Sequence, residues 1–263
     1  MDGFALVDQP RSGAENMAVD QAMLDAAAER RIALLRIYRW ERPTVSLGYF
    51  QKYADYQQHL ALHDADCVRR ATGGGAIVHH HDWTYSLALP DHWVPASKLG
   101  AANPVYDCVH AAVVKWLNRL GVPAMQWRAG VEADSVGDPK SFLCFERRSE
   151  GDVVASGSKI LGSAQRRRRG AVVQHGSLLL KRSAFAPQLA GVKETITTVA
   201  EVEEFRNALA REGTCWQMLP VIAGSLTEGL GVCLNECEPK TFFDQIGTAD
   251  LDRFAEVKWL RRV

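Results

Sequence analysis

The sequence lacks long apolar runs and any excess of charge of one sign. No stretch of about 18 apolar residues occurs, so no transmembrane helix is predicted. The N-terminus has no basic segment followed by an apolar one, so we predict no signal peptide and expect a cytoplasmic protein. Lys plus Arg and Asp plus Glu both number 31, which argues against a general nucleic-acid binder. We therefore expect neither a nucleic acid nor a membrane as a partner.

Cysteines with metal-ligand spacing are also missing. None of the six cysteines forms Cys-x-x-Cys, and Cys233 and Cys237 have no second pair near them, so we predict no metal site. In a cytoplasmic chain of this length, free cysteines are more common than disulfides. His79, His80 and His81 resemble a metal-binding tract, but adjacent strand residues point to opposite faces. We interpret the tract as a turn that contributes one functional histidine.

What remains is a globular composition in which strand patterns are framed by helical patterns. A chain of 263 residues with 47% apolar residues can form one large domain or two small ones. Without a repeat or a clear linker, we predict a single domain over residues 1–263. A capping box at residues 12–15 opens one helix, and Asn103-Pro104 open another that ends near Leu120. Helical patterns also cover residues 198–209, 219–230 and 251–260, and strand patterns cover 34–40, 44–48, 67–70, 76–78, 84–89, 153–155, 160–165 and 171–180.

Three consecutive glycines, Gly73, Gly74 and Gly75, separate two of these strands. They permit a close backbone approach and could present amides to a phosphate or carbonyl oxygen, although a lone triple glycine is more often a plain turn. No Gly-Lys-Ser/Thr follows, which excludes a P-loop, and the spacing excludes a dinucleotide fingerprint. The basic run at residues 166–170 is predicted as a hairpin turn. It is either a solvated tip or a docking patch for an acidic partner.

A lysine among small residues and a cysteine in an apolar loop are the next candidates. Small residues around Lys159 leave room for a ligand, and its ammonium could hold a carbonyl oxygen or stabilise a thiolate. Cys144 would become a nucleophile beside such a cation. On spacing alone, a surface lysine and an inert cysteine remain the simpler interpretations. His175, just before a buried strand, is more often structural than catalytic.

The order of these motifs is more specific than any one of them. Residues 69–79 read Arg-Arg-x-Thr-Gly-Gly-Gly-Ala-x-Val-His, residues 159–165 Lys-Ile-x-Gly-Ser-Ala-Gln, and residues 174–180 Gln-His-Gly-Ser-Leu-Leu-Leu. This order resembles the biotin/lipoate protein ligase and octanoyltransferase superfamily. The resemblance implies an α/β (α+β) fold with a mixed, largely antiparallel sheet flanked by helices, similar to the class II aminoacyl-tRNA synthetase and biotin ligase catalytic core. It implies these substrate-binding residues: Arg70, Thr72, Gly73, Gly74, Gly75, His79, Gly162, Ser163, Ala164 and His175.

The loop before the lysine motif indicates one branch of that superfamily. Residues 141–146 read Ser-Phe-Leu-Cys-Phe-Glu, which resembles the cysteine-dependent octanoyltransferases, whereas ATP-dependent lipoate ligases usually carry Asn-Asp upstream of the lysine. Gly75 departs from the branch, because the transferases often have Arg there. The resemblance implies Cys144 and Lys159 as catalytic residues and no cofactor.

The implied reaction moves an octanoyl group from octanoyl-acyl carrier protein, through a cysteine thioester, to a lysine of a lipoyl domain. The implied acceptors are the glycine-cleavage H protein or a 2-oxoacid dehydrogenase subunit. Three alternatives remain: a lipoate–protein ligase that uses ATP and Mg, an amidotransferase between lipoyl domains, and an acyl-binding protein without turnover.

Overall fold

The computed structural model describes residues 2–94, 104–129, 138, 140–168, 170–196, 218–247 and 250–263. Eleven strands are described, and they form one large and one small sheet. The strands are β1 (Asp2–Val7), β2 (Ala33–Tyr38), β3 (Thr44–Leu47), β4 (Asp66–Arg69), β5 (Ile77–His79), β6 (Asp82–Pro90), β7 (Ala124–Gln126), β8 (Val153–Ala155), β9 (Ser158–Arg168), β10 (Ala171–Leu179) and β11 (Cys233–Glu236).

The large sheet has the strand order β11-β1-β2-β6-β10-β9-β8-β7, and the small sheet has the order β4-β3-β5. In the large sheet, β1 pairs in parallel with β2 and β11, and every other neighbouring pair is antiparallel. In the small sheet, β3 is parallel to β4 and antiparallel to β5. The prediction of a mixed, largely antiparallel sheet is therefore confirmed.

Eight helices are described around the sheets. They are α1 (Gly13–Arg30), α2 (Tyr53–Gln57), α3 (Pro104–Arg119), α4 (Val192–Thr195), α5 (Met218–Leu230), α6 (Pro239–Ile246), α7 (Leu251–Ala255) and α8 (Val257–Leu260). The capping box is confirmed, because the Ser12 hydroxyl accepts from the Glu15 N–H and the Glu15 carboxylate accepts from the Ser12 N–H. Within the described part of the chain, no helix is long and apolar enough to cross a membrane.

The large sheet lies between α1 on one face and α3 with α5 on the other. On the α1 side, Met23 and Leu24 pack with Val173 of β10. On the α3 side, Val109 and Ile222 belong to a larger core that continues into the sheet. Burying each such side chain stabilises the fold by about 1.5–3 kcal/mol. The two apolar layers therefore fix which face of the sheet each side chain of a strand occupies.

Two predicted elements are wrong in detail. Arg166, Arg167 and Arg168 are not in a turn but extend β9, where they pair with the start of β10. Antiparallel pairing satisfies the backbone of these residues, while their long side chains still reach water. The helix predicted over residues 251–260 is two short helices, because Glu256 is extended (φ −70°, ψ 132°). Arg169, Asn103 and the helix predicted at residues 198–209 lie outside the described residues, and the single domain stays a prediction.

Candidate active site

The loop that carries Cys144 is held against the glycine turn, residues 73–75, by backbone hydrogen bonds. The Ala76 N–H donates to the Phe142 carbonyl at 2.9 Å, and the Cys144 N–H donates to the Ala76 carbonyl at 2.8 Å. A Cβ atom added to Gly75 would lie 2.9 Å from the Cys144 nitrogen, closer than side chains approach a backbone. Glycine at position 75 therefore permits the contact between the two segments, which is a physical reason for the absence of Arg there.

Lys159 lies beside Cys144 and is almost fully buried. Its Nζ atom is 3.7 Å from Cys144 Sγ and 2.7 Å from an oxygen of Asp152, which is itself buried. The ring of Phe145, the residue after Cys144, has its centre 5.4 Å from the same Nζ atom. The structure thus brings together the two predicted catalytic residues, which are fifteen positions apart.

The charge state of Lys159 is set by opposing effects. Burial disfavours the ammonium, but the negative charge of a Cys144 thiolate and of Asp152 outweighs burial and raises the pKa of Lys159 above its ordinary value of 10.5. Lys159 is consequently a cation at neutral pH. An ammonium at this distance attracts a thiolate more strongly than a thiol.

A β-bulge in β9 turns Lys159 towards the cysteine. Val153 pairs with Leu161 and Val154 with Lys159, so Ile160 is an extra residue in β9. Ile160 and Leu161 consequently both face the α3 core, and Lys159 shares the opposite face with Gly162. A Cβ atom at Gly162 would lie 2.5 Å from the Cε atom of Lys159, so glycine leaves the space that the lysine stem occupies.

On the α3 side, a chain of neutral hydrogen bonds lies behind the lysine. We call His110, Ser163, Tyr85 and Gln174 the His110 network. Burial lowers the pKa of His110 to about 4, so the ring is neutral. Its Nδ1 atom is 2.7 Å from the Gly151 carbonyl and therefore donates, which leaves Nε2 to accept from the Ser163 hydroxyl at 2.7 Å.

The rest of the His110 network continues in the same direction. The Tyr85 hydroxyl donates to Ser163, and the Gln174 amide donates to the Tyr85 hydroxyl at 2.6 Å. A Cβ atom at Gly176 would overlap the Ser163 hydroxyl and the Tyr85 ring, so glycine is needed next to this chain. The hydroxyl of Ser163, a predicted substrate-binding residue, is thus engaged on the α3 side of the sheet.

Helix α3 also holds the carboxylate that pairs with Lys159. The Tyr106 hydroxyl donates to Asp152 at 2.8 Å, and the rings of Tyr106 and His110, one helical turn apart, are in contact with centroids 4.0 Å apart and planes tilted by 39°. The Ser149 N–H donates to the other Asp152 oxygen at 2.7 Å. The sequence reasoning missed these residues. Polar residues at positions i and i+4 within the apolar stripe of α3 were the available signal.

On the α1 side, Arg70 binds the backbone of the glycine turn. Its guanidinium donates to the carbonyls of Gly73 and Gly75 at 2.8 and 2.7 Å, and to the Ser46 carbonyl at 2.6 Å. Burial lowers the pKa of Arg70 to about 10, although the nearby Cys144 opposes that shift. Because the side chain stays charged at neutral pH, these hydrogen bonds are charge-assisted and fix the shape of the turn.

The two predicted histidines are also buried on the α1 side. His79 lies 2.7 Å from Asp82 and 2.9 Å from the Ser46 hydroxyl, and it stacks on Trp40. The Nε2 atom of His175 lies 2.5 Å from the Thr72 hydroxyl, and its Nδ1 atom lies 3.4 Å from a carboxylate oxygen of Asp20. Burial lowers the pKa of His175, and its bond to Asp20 only partly opposes that shift.

Two small cavities lie on either side of His175 and Met17. Arg70 and His79 line one of them, and Thr72 lines the other. Ala164 pairs with His175 in the register of β9 and β10. The predicted substrate-binding residues on the α1 side therefore surround an interior space, and their role in binding stays a prediction.

Comparison with known proteins identifies the family. The family model of the lipoyl protein ligase A/B catalytic domain matches residues 12–211. The chain belongs to this family. The matched segment contains the glycine turn, Cys144, Lys159 and both histidines, so the ordered motifs of the sequence correspond to the family's catalytic domain, and the predicted superfamily is confirmed.

Curated relatives carry the name Octanoyltransferase LipM. The chain is 37% identical to that of Kyrpidia tusciae over 174 residues, which cover 64% of this chain and 62% of the relative. It is 35% identical to that of Bacillus subtilis over 176 residues, with 64% and 62% coverage. These matches span about three-fifths of the relatives' length. A relative from Macrococcus caseolyticus is 26% identical over 94% of both chains.

Solved structures show the same fold. Lipoate-protein ligase A bound with ATP superposes with a TM-score of 0.62 at 20% identity, covering 99% of both chains. A bi-partite lipoate protein ligase of Thermoplasma acidophilum gives a TM-score of 0.63 at 19% identity, covering 99% of this chain and 96% of that one. At this identity the likeness concerns the fold, and it confirms the ligase-like catalytic core expected from the motifs.

Proposed function

We propose that this protein is a cysteine-dependent octanoyltransferase that acts on octanoyl-acyl carrier protein and on the lysine of a lipoyl domain. The observation that carries the proposal is the 3.7 Å separation of Cys144 Sγ from Lys159 Nζ. The LipM relatives support the octanoyl group as the substrate. The Thermoplasma ligase, which is described with its E2 lipoyl domain, supports a lipoyl domain as the acceptor.

The first step transfers the acyl group to the enzyme. The Cys144 thiolate attacks the thioester carbonyl of the donor, a new carbon–sulfur bond forms, and the bond to the donor's prosthetic sulfur breaks. The released thiolate takes a proton from solvent. Lys159 stabilises the attacking thiolate, and the ammonium remains close enough to polarise the carbonyl oxygen.

The second step forms the product amide. The neutral amine of the acceptor lysine attacks the octanoyl-Cys144 carbonyl, the carbon–sulfur bond breaks, and the amine loses one proton to solvent. Cys144 is released as the thiolate beside Lys159. Backbone amides of residues 73–75 or 162–164 would bind the transient oxyanion. Because a thioester is converted to an amide, the reaction needs no ATP.

The test is an intact-mass measurement after incubation with octanoyl-acyl carrier protein. We expect one octanoyl adduct on the unmodified sequence and none on Cys144→Ala. Cys67→Ala is the matched control, because burial raises the pKa of Cys67 to about 12 and keeps that sulfur a thiol. The Cys67→Ala adduct should form at the normal rate.

The alternatives give different results in the same assay. A ligase would load free octanoate or lipoate only with ATP, and Cys144→Ala would retain that activity. An amidotransferase would form the adduct from an octanoylated lipoyl domain but not from the carrier protein. An acyl-binding protein would retain octanoate without transferring it to a lipoyl domain. Any of these outcomes would contradict the proposal.

A further inference from the structure

An alternating stack of arginines and aromatic rings lies on the surface beside the glycine turn. The Arg166 guanidinium is 5.0 Å from the centre of the Tyr49 ring, and Arg262 is 3.9 Å from the same ring. Arg262 is also 4.9 Å from the Trp259 ring, over which Arg253 lies at 4.2 Å. We call these five residues the arginine–aromatic ladder. It joins residues from three distant parts of the sequence.

The positive charge of the ladder is not balanced locally. Among the described residues, no carboxylate lies within ion-pairing distance of Arg166, Arg253 or Arg262. A hydrogen bond from Arg262 lowers the pKa of Tyr49, although partial burial opposes that shift, and the charges of Arg262, Arg166 and Arg253 add to it. The formal net charge of the whole chain is zero. Within the described part of the chain, this surface is therefore a local excess of positive charge that favours an anionic partner.

The ladder is attached to the two residues that precede the glycine turn. The Arg166 guanidinium donates to the Ala71 carbonyl at 2.9 Å, and the Tyr49 N–H donates to the Thr72 carbonyl at 2.8 Å. Phe50, which is 76% exposed, lies next to Gly73. An exposed aromatic ring on the border of a cationic surface is typical of protein interfaces.

We propose that the arginine–aromatic ladder is the docking surface for the acyl donor, an acidic carrier protein. This inference rests on the proposed function. Arg166 is seven residues from Lys159 along β9, roughly 20 Å at the rise of a strand. The side chain of an acceptor lysine is short, so an acceptor protein must place its own backbone close to Cys144. A donor that carries its acyl group on a long, flexible prosthetic arm can dock at the ladder and still reach Cys144.

The stacking explains how the surface is prepared for binding. A guanidinium held over an aromatic ring can still offer N–H groups at its edge to carboxylates. The ring contacts also restrict the arginine side chains before binding, which reduces the entropy lost when the partner docks. Carboxylates on one face of a carrier protein would therefore meet guanidiniums that are already ordered.

The experiment compares two donors with the variant Arg253→Glu/Arg262→Glu. The second-order rate of Cys144 octanoylation by octanoyl-acyl carrier protein should fall at least about tenfold, and its decrease with salt should become weaker. The rate with octanoyl-N-acetylcysteamine, a small thioester without a protein, should remain unchanged. That second rate also shows that the variant is folded.

Two further variants separate docking from general effects of charge. Lys115→Glu/Arg119→Glu makes the same change in charge on exposed positions of α3 and should leave both rates unchanged. Arg253→Lys/Arg262→Lys keeps the charge and should retain most of the carrier-protein rate. An unchanged carrier-protein rate in Arg253→Glu/Arg262→Glu would overturn the proposal. So would an equal loss with both donors, or a loss confined to transfer onto the lipoyl domain. If the unmodified sequence forms no adduct with either donor, the proposed function itself has failed.

Discussion

The two faces of the large sheet use polar groups in different ways. On the α1 side, several buried polar groups are charged: Arg36 pairs with Asp8 at 2.8 Å and Asp20 at 3.5 Å, and Arg70 binds the glycine turn. On the α3 side, the His110 network is neutral from end to end. In this molecule, charged side chains hold the glycine turn and pair with Lys159 itself. The hydrogen-bond chain that lies behind Lys159 is neutral.

The largest effect is expected when the positive charge beside Cys144 is removed. Lys159→Met keeps the length of the side chain but removes its charge, and octanoylation of Cys144 should slow at least about a hundredfold. The single variant leaves Asp152 buried without its cation and should also lose stability.

The double variant Lys159→Met/Asp152→Asn removes both charges and should recover stability but not activity. Urea unfolding and the intact-mass assay measure the two effects separately. Recovery of activity in the double variant would show that Lys159 supports the fold rather than the thiolate.

On the α1 side, Arg36→Gln should destabilise the protein by about 3–5 kcal/mol, because it removes the arginine that pairs with the buried Asp20 and leaves Asp8 with Arg11 alone. Arg36 is fully buried and lies over the Tyr38 ring, so solvent cannot replace it. Urea unfolding measures the loss. Arg42→Gln is the control, because Arg42 is 72% exposed in its pair with Asp66 and should change stability by less than about 1 kcal/mol. Similar losses for the two variants would remove the distinction between buried and exposed charge.

Gly176→Ala tests the His110 network on the α3 side without changing any charge. The added methyl group overlaps Ser163 and Tyr85, so we expect a loss of about 1–3 kcal/mol as the hydrogen-bond chain is displaced. Gly224→Ala in α5 meets no atom within 4 Å and should gain about 0.5–1 kcal/mol, because alanine is the better helix former. Thermal unfolding compares the two variants. Equal shifts in their unfolding temperatures would mean that the His110 network does not stabilise the fold.

The neutral state of His110 predicts a dependence of stability on pH. The folded protein keeps His110 unprotonated down to a pH of about 4, because burial lowers its pKa from 6.5. An unfolded histidine binds a proton below about pH 6.5. The unfolded chain therefore takes up more protons in that window, and the free energy of unfolding falls as the pH drops from 6.5 towards 4.

His110→Asn should cost about 1–2 kcal/mol at neutral pH, through the lost bond to Ser163. It should also make the fall in stability towards pH 4 shallower, and urea unfolding across this range measures both quantities. An unaltered slope would assign the acid sensitivity to other buried histidines, such as His175, whose pKa burial also lowers.

The sequence predicted the parts of the site that follow from local pattern. Cys144, Lys159 and the glycine turn lie in ordered motifs, and the capping box of α1 and the pattern of α3 predicted those helices correctly. Strand β1, at the N-terminus, and strand β11, which is mostly exposed, lacked a recognisable alternation and were missed. Their pairing depends on a parallel partner far away in the chain.

The residues that support Lys159 could not be predicted in the same way. Asp152 is seven positions from Lys159, but its carboxylate also needs Tyr106 of α3, which is 46 positions away. His110 meets Ser163 only because α3 packs on one particular face of β9. Such contacts follow from the register of helix against sheet, which no single segment encodes.

The bulge in β9 has a consequence for the kind of mutation that would be most damaging. Ile160 and Leu161 both face the α3 core, which leaves Lys159 on the opposite side, towards Cys144. If the strand kept every residue but paired regularly, alternation back from Leu161 would turn Ile160 outwards and point Lys159 into the α3 core, with its amine far from the sulfur. The contact between Lys159 and Cys144 thus depends on an apolar residue at position 160 that holds the bulge in place. A charged residue there should displace Lys159 from the sulfur as well as weaken the core.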